Sequence, residues 1–122
     1  MGCGSSSGKD AVKGNPKEAF IKLNNGVKMP KIGLGTWMMS EKERDISNLK
    51  QAILEEGYRH IDTATLYGNE ETIGEAVAEI LKEGTIKRED LFITTKVWHD
   101  EVHDPISALK RSLERLKMDY VD

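Results

Sequence analysis

GYRHIDTATLYGNEETIG, residues 57–74, is the stretch from which the fold is read. Gly57 is a helix stop for whatever precedes it, because glycine reaches the left-handed conformation that ends a helix. Tyr58 to Ala64 is short and strand-like, and Asn69-Glu70-Glu71 opens a helix with acid at its positive end. A short strand delivered through a loop into a helix is half of a β–α–β unit, so the flanks should repeat it. They do. Upstream, Ser40-Glu41-Lys42-Glu43 fits a capping box, and Ile46, Leu49, Ile53 and Leu54 recur at helical spacing up to Gly57. Downstream, the helix begun at Asn69 carries Ile73, Val77, Ile80 and Leu81 on one face, and Gly84 closes it.

Further along, Leu91 to Val97 (LFITTKV) is rich in strand formers. Asp104-Pro105 is an N-cap with proline at the first helical position, and Ile106, Leu109, Leu113 and Leu116 continue at 3–4 spacing. Tyr120-Val121-Asp122 looks like another strand beginning. Towards the amino end, Phe20 to Leu23 and Val27 to Leu34 flank Asn24-Asn25-Gly26, which predicts a β-hairpin with a type I′ turn. Pro30 restricts part of the second arm to an edge or a strand start. Residues 1–18 are Gly/Ser-rich with little to bury and read as a flexible leader, leaving 19–122 as one domain. A hairpin followed by alternating short strands and helices implies an α/β fold with a parallel sheet and right-handed crossovers. On pattern alone, a doubly wound sheet and a (β/α) barrel are both open.

Composition narrows the function. With 122 residues, 38% hydrophobic, 32% charged and a net charge of −3, the surface is evenly mixed and mildly acidic. That argues against a nucleic-acid binder, which shows a basic face. The longest apolar run is too short for a transmembrane helix or a secretory signal, and the one cysteine, Cys3, excludes an internal disulfide framework or a Cys-rich zinc site. The expected setting is soluble and cytoplasmic, with no metal.

The polar residues at the strand ends carry the chemistry. Asp62 ends an apolar strand, Lys96 ends the next one, and Tyr67 lies on the loop just after Asp62. Barrel enzymes gather their reacting groups at the carboxyl ends of parallel strands, so Asp62 and Lys96 would face one mouth. A phenol is a poor proton donor at neutral pH, its free pKa being about 10. An ammonium about 4 Å away at an effective dielectric of about 20 stabilises a phenolate by about 4 kcal/mol. A carboxylate keeps that ammonium charged and fixed. Asp–Lys–Tyr is therefore a general acid for protonating a developing alkoxide, whereas the plainer reading is a strand-end ion pair beside an unrelated tyrosine. Gly33-Leu34-Gly35 is no dinucleotide fingerprint, because Met38 takes the third glycine position and the element order is wrong.

Gly57-Tyr58-Arg59-His60-Ile61-Asp62-Thr63-Ala64, Tyr67, Asn69-Glu70 and Ile73-Gly74 together resemble the signature of the aldo-keto reductase family. The hairpin IKLNNGVKMPKIGLGTW and the strand FITTKVW resemble the same family in the same order, so the likeness runs from Ala19 to Asp122. It implies the amino-terminal portion of an eight-stranded (β/α)8 TIM barrel, about three and a half β–α units preceded by the hairpin. It also implies NADPH as cofactor and small aldehydes or ketones as substrates. By position, Tyr67 would be the proton donor, Lys96 the group that acidifies it, and Asp62 the partner of Lys96. Gly35, Thr36 and Trp37, with Asp62, would meet the cofactor; Trp37, Leu66 and Trp98 would line the substrate pocket. The family's further catalytic histidine, near the end of its fourth strand, has no counterpart among His60, His99 and His103. The chain alone is therefore expected to show little or no reductase activity. A parallel sheet of this extent is also expected to leave Trp37, Ile61 and Ile93 without partners.

Met1-Gly2-Cys3-Gly4-Ser5-Ser6 fits the N-myristoylation pattern at Gly2, with Cys3 beside it as a candidate palmitoylation site. Two lipids would hold a membrane surface stably where one would not. The alternative to a reductase segment is thus a non-catalytic, lipid-anchored interaction module built on the same partial barrel.

Overall fold

The computed structural model describes residues 19–122. The leader, with Gly2 and Cys3, lies outside the described residues. The chain opens with an antiparallel hairpin of β1 (Phe20–Lys22) and β2 (Lys28–Pro30), in which Phe20 pairs with Pro30 and Lys22 with Lys28. Its turn is longer than a type I′ loop. Gly26 N–H donates to Leu23 O at 2.9 Å, Leu23 N–H to Val27 O at 2.8 Å, and only Gly26 takes positive φ, at 86°. This is a three-residue turn with the left-handed position on glycine, and Asn25 serves instead by accepting from Val27 N–H at 3.1 Å. The second arm read from the sequence is in fact two strands, for β2 ends at Pro30 and β3 (Leu34–Gly35) belongs to another sheet.

That second sheet is parallel, in the order β3, β4 (His60–Asp62), β5 (Phe92–Thr94). Gly35 stands opposite Asp62, and Asp62 opposite Thr94. The strands alternate with three helices, α1 (Lys42–Leu54), α2 (Glu70–Lys82) and α3 (Pro105–Leu116), with α1 packed on α2 and α2 on α3. All the strands run in sequence order with no reversal, and only one sheet face is sealed by helices. This is the arrangement of a partial (β/α) barrel; a doubly wound sheet would cover both faces. His60 Nδ1 lies 3.3 Å from Pro30 O, which sets the hairpin at the amino end of the strands.

The core lies between sheet and helices: Leu49 and Ile53 of α1, Ile73, Val77 and Ile80 of α2, Ile61 and Ile93 of the sheet, and Leu116 of α3. Burying each such side chain contributes about 1.5–3 kcal/mol. Ile61 and Ile93 therefore do not lack partners, contrary to expectation. In a strand, neighbouring side chains point to opposite faces, and these two point at the helices while His60, Asp62 and Thr94 point the other way and are half-buried. Trp37, 56% exposed, is the one of the three left open.

The helix ends follow local chemistry. Asp104 caps α3, its Oδ1 accepting from Ser107 N–H at 3.1 Å ahead of Pro105. The capping box expected at Ser40 does not form. Helix α1 starts at Lys42, and Asp45 Oδ2 instead accepts the Glu41 N–H at 2.8 Å. The buried face of α3 is Ala108, Ser112 and Leu116, with Ile106 64% exposed and Leu109 also exposed. Close approach comes from the α2 side: a Cβ on Gly74 of α2 would lie 2.7 Å from the Leu116 carbonyl carbon. Residues 120–122 form no strand, yet Asp122 N–H donates to Ile93 O at 2.9 Å, alongside β5. Among the described residues no helix is long and apolar enough to cross a membrane.

Candidate active site

The carboxyl ends of β3, β4 and β5 carry the site. β3 leads into Thr36 and Trp37, β4 ends on Asp62, and a 3-10 turn over Thr65–Tyr67 presents Tyr67. Lys96 lies two residues beyond the end of β5, not on the strand itself. Regular pairing stops at Thr94, but Thr63 N–H still donates to Thr94 O at 2.8 Å and Thr65 N–H to Lys96 O at 3.2 Å. These bonds run the Lys96 segment alongside the Tyr67 turn.

Asp62, Lys96 and Tyr67 come together as expected. Lys96 Nζ donates to Asp62 Oδ2 at 2.7 Å, to Thr63 O at 3.0 Å and to Tyr67 Oη at 3.3 Å. Burial is the largest influence on the Lys96 ammonium and works against its charge. The hydrogen bonds to Asp62 and Tyr67, with the attraction of both groups, more than offset it and hold Lys96 above the ordinary lysine value. The ammonium is thus charged throughout the neutral range and sits on the phenol oxygen. It can stabilise a phenolate left behind when that oxygen gives up its proton.

Trp37 meets Tyr67 edge to face, centroids 5.0 Å apart, and forms an aromatic wall beside the phenol. Gly35 faces open space where a Cβ would stand, next to Asp62 in the strand register. Thr36 is fully buried, its hydroxyl donating to Asp62 O at 3.1 Å and its N–H to the same carbonyl at 3.0 Å, so it braces the backbone of Asp62. Leu66 is exposed on the turn, and Trp98 is exposed with its ring against His99 at 4.7 Å. His60 lies at the other end of β4, its Nε2 3.1 Å from Thr94 Oγ1 and its ring edge-on to Phe92.

Three polar residues to which the sequence gave no role at the site, Asn69, Glu70 and Arg115, hold this arrangement. The buried Asn69 amide donates to Thr36 O at 2.7 Å and Met39 O at 3.2 Å, and its carbonyl accepts from Thr63 Oγ1 at 3.2 Å. Glu70, read from sequence as an acid at a helix start and as part of the family signature, is buried against Arg115 Nε at 2.6 Å. The two residues are 45 positions apart, a separation at which no local pattern signals contact.

An aspartate, a lysine and a tyrosine thus converge where the parallel strands of a partial (β/α) barrel end. The pattern of the aldo/keto reductase family matches residues 31–122. The chain belongs to that family. It is 48% identical over 105 residues to methylglyoxal reductase DkgA of Yersinia pestis, covering 86% of this chain and 36% of that protein. It is 50% identical over 101 residues to an aldose reductase of Encephalitozoon cuniculi, covering 83% of this chain and 33% of the relative. Among solved structures, it superposes on Bombyx mori aldo-keto reductase in complex with NADP with a TM-score of 0.77 and 39% identity, over 84% of this chain and 36% of that one. A second aldo-keto reductase, complexed with NADPH, gives a TM-score of 0.78 and 43% identity over 84% of this chain and 34% of that one. The chain spans about a third of the length of the curated relatives it matches.

Proposed function

We propose that this chain supplies the proton-donating part of an NADPH-dependent reductase that converts small aldehydes or ketones to alcohols. The observation that carries this reading is one ammonium, Lys96 Nζ, hydrogen-bonded at once to Asp62 and to the phenol oxygen of Tyr67. Open space over Gly35 beside Asp62, with the Trp37–Tyr67 wall next to it, fits a flat ring such as a nicotinamide. Gly35, Trp37 and Asp62 would hold the cofactor, while Thr36, expected from the sequence to meet it too, is fully buried and only braces Asp62 from behind; the exposed Trp37, Leu66 and Trp98 would meet the substrate. NADPH, when bound, supplies the hydride. Tyr67 Oη then protonates the carbonyl oxygen, Lys96 stabilises the phenolate, and Asp62 holds Lys96 in place and in charge.

Turnover is proposed for a protein of the relatives' length. Residues 1–122 alone are expected to give little, because the barrel-facing side of the sheet (His60, Asp62, Thr94) stands half open to water. The test is Tyr67→Phe in the longer protein: NADPH-dependent reduction of a simple aldehyde should fall by about 10²–10⁴, the usual contribution of a general acid, with NADPH binding retained by fluorescence titration. Undiminished turnover in that variant would overturn the reading.

A second role is proposed for the leader on the Met1–Ser6 motif: lipidation at Gly2 and Cys3, placing the protein in the cytosol at a membrane surface. A Gly2 peptide from the native host should carry the mass of one myristoyl group, and an unmodified peptide would exclude it.

A further inference from the structure

The Glu70 side chain is 1% exposed, and a carboxylate so buried needs partners on both oxygens. Thr95 Oγ1 donates to Oε1 at 2.6 Å, while Arg115 Nε donates to Oε2 at 2.6 Å and Ser112 Oγ to Oε2 at 3.4 Å. Each partner leads back to the candidate active site. Thr95 adjoins Lys96, in a stretch that belongs to neither strand nor helix. Ser112 Oγ lies 3.3 Å from Thr65 Oγ1, and Arg115 Nη2 reaches the same Thr65 oxygen at 3.5 Å. Thr65 opens the 3-10 turn that carries Tyr67, and its N–H donates to Lys96 O.

We propose that Glu70 is a positioning residue, which fixes Lys96 through Thr95 and Tyr67 through Ser112, Arg115 and Thr65, and so sets the separation of ammonium and phenol. The proposal rests on the reductase reading of those two groups. Both need such an anchor: Lys96 hangs from irregular backbone with its side chain 46% exposed, and Tyr67 sits on a turn of three residues. A misplacement of about 1 Å at a reacting group costs on the order of 10² in rate. A buried ion pair adds little net stability over a well-packed apolar pair, but its hydrogen bonds fix direction, which apolar contact does not.

The test uses the full chain in two variants. Glu70→Gln removes the charge and the Arg115 pairing; Thr95→Val leaves the Glu70–Arg115 pair intact and cuts only the arm to Lys96. The readouts are the nuclear Overhauser contact between Lys96 Hε and the Tyr67 ring, the Lys96 ammonium titration, and the thermal midpoint. In Thr95→Val the Lys96–Tyr67 contact should be lost and the Lys96 titration should move down towards the ordinary lysine value, with a lower thermal midpoint as well because Glu70 Oε1 is left without its donor. Glu70→Gln should show the same two changes together with a lower midpoint. Variants that lose only thermal stability, with contact and titration unchanged, would overturn the inference and leave the reductase reading standing. Absence of the Lys96–Tyr67 contact in the unsubstituted chain would overturn both.

Discussion

Two glycines that look alike in the sequence should respond in opposite ways to one added methyl group. A Cβ on Gly74 would stand 2.7 Å from the carbonyl carbon and 2.9 Å from the Cα of Leu116, where carbon atoms ordinarily rest about 3.5–4.0 Å apart. The obstacle is backbone, so no rotamer change relieves it, and helices α2 and α3 must separate by about 1 Å. Overpacking of this kind costs about 3 kcal/mol at its upper end. Alanine offsets about 1 kcal/mol of that, being the better helix former. Gly74→Ala should therefore lose about 2 kcal/mol, which lowers the thermal midpoint by about 10 °C for a domain of this size. Urea denaturation followed by circular dichroism measures it, with an unchanged slope against denaturant expected. Gly35→Ala meets nothing within 4 Å and should stay within about 0.5 kcal/mol of the parent. In the longer protein its methyl would fill the open space beside Asp62 and weaken NADPH binding. A Gly74→Ala chain as stable as the parent would refute the close helix contact, and intact NADPH binding by Gly35→Ala would refute the placing of Gly35 at the cofactor.

Asp104 is held below the ordinary carboxylate value by the hydrogen bonds from Ser107, so its cap contributes stability that is present above that ordinary value and is lost as pH falls through the folded one. Asp104→Ala should remove this acid-side dependence, read by thermal melts across the acidic range, while Asp104→Asn should keep the neutral-pH stability. The Lys96 ammonium, raised mainly by Asp62 and Tyr67 against the opposing effect of burial, works in the other sense. Its contribution is complete below the ordinary lysine value and is lost as pH climbs through the raised one. Asp62→Asn should shift the Lys96 titration, followed by nitrogen-15 NMR, to lower pH; an unmoved titration would contradict the ion pair. Asn69→Leu leaves the Met39 carbonyl and the Thr63 hydroxyl without their side-chain partner, while Thr36 O keeps the Met39 N–H, and should cost about 2–6 kcal/mol in urea denaturation, at about 1–3 per unsatisfied group. A cost below about 0.5 kcal/mol would mean that water replaces the amide.

Sequence alone determined the succession of strands and helices, the hydrophobic faces of α1 and α2, the stops at Gly57 and Gly84 and the cap at Asp104. Those features are set by residues within a turn or two of one another, and periodicity reports them directly. It also pointed to Asp62, Tyr67 and Lys96, because parallel strands bring their carboxyl ends to one side, but the meeting of Lys96 and Tyr67, both beyond the strands, rests on the bond from Thr65 N–H to Lys96 O. Only the tertiary structure decided the rest. Which side of α3 is buried was set by its docking on α2, where Gly74 lets the Leu116 backbone approach closely and the Glu70 carboxylate meets Ser112, so that Ile106 and Leu109 were left outside. The choice of Ile61 and Ile93 as core depended on which sheet face received the helices. The Glu70–Arg115 pair and the Asn69 bridge join residues tens of positions apart, and a contact of that range leaves no periodicity to read.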